Sequence, residues 1–560
     1  MFTTVLPVWG VALLVGVCCW SIGAALVASR SPIVGMLAGW CVFLFLCALP
    51  WMLGVPANWT RPFFWLFFVA GVFLAYRRRR WNELAIAAIC AAVVVLILGA
   101  PFLVFPGLLA YGAHGTDMWG YVNTAEWVQS HSIRQLPEIG VAPMRFNWTW
   151  HVLQTRERPL IYESLACFAS ATGLGVVKSY LAYPVALIAS LAMALTCEPR
   201  AFRLKSSWLV LPLALLVVVH PMIVLPWIAG YLAGAIATLF IGLAFASAAV
   251  SGHGAQRNEA LGLSVLMILF CAALYSTKLL YVALAAGGAA GLASGIAFVR
   301  AKGWRSLPTV LAGKTMAGIL GACALMMAAI FWLGRDQPVN VGDFQTLRSA
   351  GAHLLSMFGG NSPYVWLGYY PGTSFDRDPL ANPVGIGALV VTLTLFVWLA
   401  RARWHSARDV RIPILVGLCL GVVAMSIGDE ITMAKTLALF GFSLLMILAV
   451  TSGELRHWTL ALVAGVICCL PFVRSAAEME EIISGPYIAC TEKNIADIHD
   501  GQDWRILSYL AYKEDTDGFD WPNNPKFYFS NTQFLPIGAR QVLAKKYHMP
   551  SPTGGADEPR

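Results

Sequence analysis

"LPVWGVALLVGVCCWSIGAALVAS", residues 6–29, carries no charged side chain and no strand-like alternation. About 20 apolar residues suffice for a helix to cross roughly 30 Å of hydrocarbon, and this run is long enough. It lacks a basic leader and is longer than a signal-peptide core, so we read it as a retained helix; its "LVAS" ending also fits a cleavage site. Runs of the same kind recur near 32–54, 61–76, 83–106, 176–195, 207–226, 228–251, 260–276, 279–299, 308–333, 384–400, 412–427, 436–451 and 458–474. They are Leu- and Ala-rich and lack the period of two that marks a membrane β-barrel. The expected fold is therefore all-α, a polytopic transmembrane helix bundle of about 12–14 spans. The whole chain agrees, with 58% hydrophobic and only 12% charged residues, a balance that excludes an ordinary soluble domain.

The net charge of +9 does not point to nucleic acid, because of where the charges fall. "RRRR" at 77–80, "RAFRLK" at 200–205, "VRAKGWR" at 299–305 and "RARWHSARDVR" at 401–411 each close an apolar run. Basic clusters at one set of ends follow the positive-inside pattern and place those ends in the cytoplasm. Alternating the spans from there puts the N-terminus outside. Most of the 13 Cys lie within apolar runs, where they act as small hydrophobes, and their spacing gives neither a disulfide framework nor a zinc site.

This topology divides the chain into N-terminal helices at 1–82, a transmembrane core at 83–474 and an external tail at 475–560. The core carries external loops at 107–175 and 334–383. The second contains "YVWLGYYPGTSFDRDPLANPVG" at 364–385, with five aromatics, and the tail is too aromatic to be disordered. We expect the tail to pack on the outer face as a small lid. No internal repeat is visible, nor an inverted pair of broken hydrophobic segments. The "NWT" sequons at 58–60 and 147–149 both fall outside in this topology, where a eukaryotic host could glycosylate them.

The first loop opens with "LLAYGAHGTDMWGYVNTAEWV", residues 108–128. Thr116 and Asp117 can cap a helix, and Tyr121, Ala125 and Val128 stand at helical spacing behind them. Such a helix is expected to lie along the membrane surface with Trp119, Tyr121 and Trp127 at headgroup depth. From spacing alone Asp117 reads either as a helix cap or as a catalytic carboxylate at the mouth of the bundle.

A span that ends outside, an early-loop Asp, and "DMWGYVNTAEWV" leading into interfacial helices resemble the GT-C superfamily of membrane glycosyltransferases. The resemblance covers roughly residues 83 to 200, and beyond that only the general plan of helices and loops. It implies an enzyme that takes a sugar from a polyprenyl-phosphate carrier, with Asp117 in the position of the acidic base or metal ligand. The chain departs from the usual form in two ways. Three extra spans precede the motif span, and Met118 stands where a second acid is common, which leaves Glu126 or another carboxylate for any second acidic role.

The residue types suit that chemistry. Glycosyl transfer passes through an oxocarbenium-like transition state, and a carboxylate can deprotonate the acceptor hydroxyl. A leaving phosphate calls for cations. Arg156 and Arg158 in "QTRERPLIYES" are the candidates, with Arg145 and His151 nearby; they can equally pair with Glu157 and Glu163 or bind anionic headgroups. Lys178, Lys278 and Lys435 lie near the outer starts of spans, where the positive-inside rule depletes Lys, so they either snorkel or ring a lipid phosphate. Asp429 and Glu430, on the short "GDEITMAK" loop, either pair with Lys435 or serve as a second set of acids. His220, inside a span beside Pro221, reads as a buried His bonding a freed carbonyl or as a catalytic group.

The expected function is transfer of a sugar from a polyprenyl (pyro)phosphate to a cell-envelope glycan or lipid. A glycan polymerase or ligase, or a secondary transporter or flippase of an anionic lipid-linked substrate, is the alternative. The expected partners are that donor, a glycan or lipid acceptor and membrane lipids, without nucleic acid. No Walker motif or dinucleotide fingerprint occurs, so no nucleotide cofactor is expected, and the residues leave a divalent metal open. The lack of retention or lipidation signals and the Trp-rich external loops suit a bacterial inner membrane with the site on its periplasmic side.

Overall fold

A computed structural model describes residues 2–27, 29–104, 116–155, 158–199, 201–202, 209–219, 223, 232–250, 255–275, 314–333, 446, 449–450 and 535–549. Among them the chain is all-helical. In order the helices are α1 Phe2–Leu26, α2 Pro32–Leu53, α3 Arg61–Arg77, α4 Trp81–Val104, α5 Thr116–Ser130, α6 Asn147–Thr155, α7 Pro159–Thr172, α8 Val176–Cys197, α9 Val210–Val218, α10 Leu232–Val250, α11 Ala255–Tyr275, α12 Lys314–Leu333 and α13 Ile537–Lys546. Seven segments are long and apolar enough to cross a bilayer: Val5–Leu26, Pro32–Leu53, Ala57–Arg77, Trp81–Leu98, Val176–Cys197, Leu232–Val250 and Asn258–Tyr275. They match seven of the expected spans. The protein is a polytopic bundle of transmembrane helices. The expected spans at 279–299, 384–400, 412–427 and 458–474, and the loop at 334–383, lie outside the described residues.

The ends of α2 show how local sequence sets these boundaries. Ser31 accepts from the Val34 N–H as N-cap, Pro32 supplies a preset φ, and Gly54 closes the helix in the left-handed region at φ 70. The Ser31 hydroxyl also donates to Glu198 Oε2 at 2.6 Å, which ties the start of α2 to the end of α8.

The α1–α2 pair is joined by glycines. A Cβ on Gly39 would stand 1.7 Å from the Cys19 carbonyl oxygen, and one on Gly23 1.8 Å from the Gly35 oxygen. The two backbones therefore touch, as small-residue faces allow between membrane helices. α2, α8, α10 and α11 are the most enclosed spans, whereas α3 and α4 leave most of their residues facing outward. Phe63, Trp65, Leu66, Val69 and Phe73 of α3 are exposed, a surface suited to lipid.

The centre is an aromatic cluster. Trp40 meets Phe43 at 5.1 Å and Phe240 at 5.5 Å between ring centroids, Phe43 meets Phe64 at 5.0 Å, and Phe168 meets Tyr183 at 5.1 Å. These rings come from α2, α3, α7, α8 and α10, so α7 belongs to the core of the bundle. Trp119 (4% exposed), Tyr121 (5%) and Trp127 (9%) are buried within the protein. α5 covers α7, and α7 in turn packs on α2, α8 and α11. Apolar burial at roughly 25 cal/mol per Å2 favours this enclosure, because a ring enclosed on all sides buries more area than one left on a surface.

The described end of the tail meets this same loop. Leu535, Leu543, Ala544 and Met549 form a small cluster with Ile139 and Trp150, and Lys546 Nζ donates to the Gly140 carbonyl at 3.3 Å.

Candidate functional site

The site is built where α5 crosses α7. Tyr121, on α5, and Tyr162, on α7, lie with ring centroids 5.7 Å apart and planes tilted by 30°. Arg158 precedes the first residue of α7 and holds φ 51, ψ 47, in the left-handed region. For a non-glycine residue that conformation costs about 1–2 kcal/mol. Arg79, Phe202 and His548 share a positive φ, so the backbone alone does not single out Arg158. Its side chain does. Nη1 donates to the Tyr121 hydroxyl at 3.2 Å, and the guanidinium carbon lies 5.9 Å from the centroid of the Tyr275 ring, on α11. Burial works against its charge, and the phenols of Tyr121, Tyr162 and Tyr275 more than offset that, so the guanidinium keeps its proton. Among the described residues no carboxylate pairs with Arg158. A desolvated, fork-shaped cation without a carboxylate is suited to an anion such as phosphate.

Asp117 lies in the first turn of α5. It stands four residues before Tyr121, which puts the two on one face of the helix, with Arg158 bonded to the second of them. Glu126 is nine residues beyond Asp117, so a regular helix sets them on opposite sides, about 13 Å apart along the axis. Glu126 accepts from Arg145 Nη1 at 3.0 Å, both groups half-buried, and the Arg145 guanidinium also covers Phe146 at 4.7 Å. This ion pair pins α5 to the turn at Met144–Phe146. The two acids named from the sequence therefore do not converge.

The other candidates divide similarly. The His151 ring lies 5.7 Å from that of Trp148, and its carbonyl accepts from Thr155 Oγ1 at 3.0 Å. Lys178 is exposed in the first turn of α8. Arg156, Lys278, Lys435, Asp429, Glu430 and His220 lie outside the described residues. Asn147 is buried, which excludes a glycan there in the folded protein, while Asn58 is exposed and its Oδ1 accepts from Ser170 at 2.5 Å. Among the described residues no group of three His, Cys, Asp or Glu side chains converges as a metal site.

Two participants were not singled out from the sequence. Tyr162 carried a signal, since Arg158 and Tyr162 stand at i and i+4 in "RPLIY"; Tyr275 carried none. Glu163, named as one possible arginine partner, has a different place. It is 0% exposed, and neither carboxylate oxygen has a hydrogen-bond partner among the described residues. Burial pushes its carboxyl well above the ordinary range, and Cys167 beside it adds to the effect.

Gly120 lets α6 approach α5, because a Cβ there would stand 2.5 Å from Trp148 Nε1 and 2.7 Å from Cδ1. Gly120→Ala is expected to displace that indole and cost about 1–3 kcal/mol, read as a lowered thermal midpoint in detergent. An unchanged midpoint would mean that Trp148 shifts freely and does not brace α5.

Comparison with known proteins gave no match to a family model, to a curated protein or to a solved structure.

Proposed function

We propose that the chain is a membrane glycosyltransferase of the GT-C kind, which moves a sugar from a polyprenyl (pyro)phosphate to an envelope glycan or lipid on the outer face of a bacterial inner membrane. The observation that carries this reading is Arg158, a desolvated cation ringed by Tyr121, Tyr162 and Tyr275 and bonded to the helix that bears Asp117. Arg158 would hold the donor phosphate and Asp117 would take the proton of the acceptor hydroxyl or bind a metal. Phenol hydroxyls beside the guanidinium can share its load on a phosphate oxygen. α13, resting on Ile139 and Trp150, would border the acceptor side. The donor, the acceptor and the surrounding lipids are the partners this reading requires.

A polyprenyl monophosphate in detergent tests the anion site directly. Arg158→Gln is expected to bind it about 10- to 100-fold more weakly than wild type, the loss of one or two charge-assisted hydrogen bonds. Equal affinity would remove Arg158 from the donor site. A second reading, a secondary transporter or flippase of an anionic lipid-linked substrate, draws on Glu163. Ionisable groups enclosed among membrane helices mark proton relays in such proteins.

A further inference from the structure

Glu163 has surroundings that no step of glycosyl transfer uses. It occupies the second turn of α7, fully enclosed, with both carboxylate oxygens unpartnered among the described residues. The groups near it are thiols, a phenol, a hydroxyl and an amide. Cys167 lies one turn on in the same helix, and Cys47 faces it from α2. Cys47 also adjoins Cys19 of α1 and Tyr183 of α8, and Cys271 of α11 stands beyond Tyr183. Thr60 contacts the Cys167 sulfur at 3.3 Å, and α5 contributes Gln129, which reaches the Ala166 carbonyl and Ser170. From α3 come Phe64 and Phe67, which pack on Phe43. Arg158, five residues earlier, is turned to Tyr121. No lysine, arginine or histidine among the described residues pairs with Glu163.

An isolated carboxylate in such a place costs far more than a neutral acid, and buried acids respond by keeping their proton. We propose that Glu163 is a proton-binding site inside the helix bundle, occupied by a proton at neutral pH, and that loss of this proton requires α7 to leave its seat. Protonation and the docking of α7 are then one equilibrium, which holds whether or not Arg158 binds a donor.

The test uses the full-length protein in membranes and dicyclohexylcarbodiimide, a lipophilic reagent for protonated carboxyls. The acid proton passes to one carbodiimide nitrogen while a carboxyl oxygen adds to the central carbon, and the O-acylisourea rearranges to an N-acylurea that retains the whole reagent. The expected result is that peptide mass at residue 163 rises by one reagent at neutral pH. The yield should fall as pH is raised, and a water-soluble carbodiimide should fail to react there. The site assignment needs only wild type.

Two companion measurements keep the outcome decisive. An infrared carbonyl band of an un-ionised acid should be present in wild type at neutral pH and absent in Glu163→Gln. Protection of the α7 amides, taken relative to the base-catalysed intrinsic exchange rate, should fall with rising pH in wild type and stay flat in Glu163→Gln. A folded-state value raised above the unfolded carboxyl's stabilises the protein fully below the unfolded value and loses that contribution as pH rises through the folded one. The wild-type thermal midpoint should therefore decline toward alkaline pH relative to the glutamine variant. Absence of the infrared band from wild type at neutral pH, or equal labelling by the water-soluble reagent, overturns the proposal, since either would mean an ionised or accessible carboxylate. Should Glu163→Gln fail to fold, the infrared carbonyl band of wild type followed against pH decides alone.

Discussion

Asp117→Asn protein, purified with its fold intact, is expected to transfer sugar from polyprenyl-phosphate donors about 10²- to 10⁴-fold more slowly than wild type. That is the range over which a positioned general base contributes. On the proposed reading Asp117 opens α5, one turn before Tyr121, and Tyr121 is bonded to Arg158. The helix thus carries the acid one turn before the tyrosine that holds the cation. Asparagine keeps the size and the capping capacity of aspartate at a helix start and removes only its charge and basicity. Rates in detergent with a panel of polyprenyl-phosphate sugars give the readout. Equal rates would leave Asp117 as a first-turn residue favoured by the helix dipole and would move the acid to Asp429 or Glu430. A panel that gives no transfer even with wild type would favour the transporter reading.

Gly39→Val is expected to be the most damaging change in the bundle, about 3 kcal/mol or more, at the upper end of what overpacking costs. The obstacle is backbone. A Cβ on residue 39 meets the Cys19 oxygen, carbonyl carbon and Cα at 1.7, 2.3 and 2.7 Å, and a helix carbonyl cannot swing aside as a side chain can. α1 and α2 would have to separate. α2 also carries Trp40, Phe43 and Cys47, so the seat of α7 would open with them. The measurement is the thermal midpoint and the monodisperse fraction in detergent. Gly10→Ala serves as control, because nothing lies within 4 Å of a Cβ there. It should be neutral or slightly stabilising, since alanine is the better helix former. A variant at residue 39 that behaves like the control would show that the two helices do not touch.

What could be read from the residues follows the physics of each signal. Seven spans announce themselves because apolar length is a direct measure of the bilayer, and Ser31–Pro32 with Gly54 marks the ends of α2 at the right places. The helix at 116–130 was legible from Tyr121, Ala125 and Val128, all buried on one face. α7 was not. Its 14 residues are too few to span, and Arg158 and Glu163 in and before it look like loop chemistry. Trp and Tyr suit a membrane interface and a protein core equally well, so the burial of those on α5 was not legible from residue type. One reading set Glu163 beside an arginine because the two are near in sequence. Five positions on a helix put them about 140° apart, and the guanidinium went to Tyr121 instead.

The position of α7 also constrains how the chain comes to be assembled. It is walled by α2, made before it, and by α8 and α11, made after it. A ribosome that has just released α7 has not yet supplied half of its enclosure. The segment must wait, with Glu163 still open to water and free to ionise, until residues 255–275 have been threaded into the bilayer. On the proposed protonation of Glu163, closing the walls strips the water from that acid and the chain binds a proton as it matures. The loop between the fourth and fifth spans is therefore no appendage that folds as it emerges. It is completed late, by α8 directly after it and by α11 roughly a hundred residues from its start along the message.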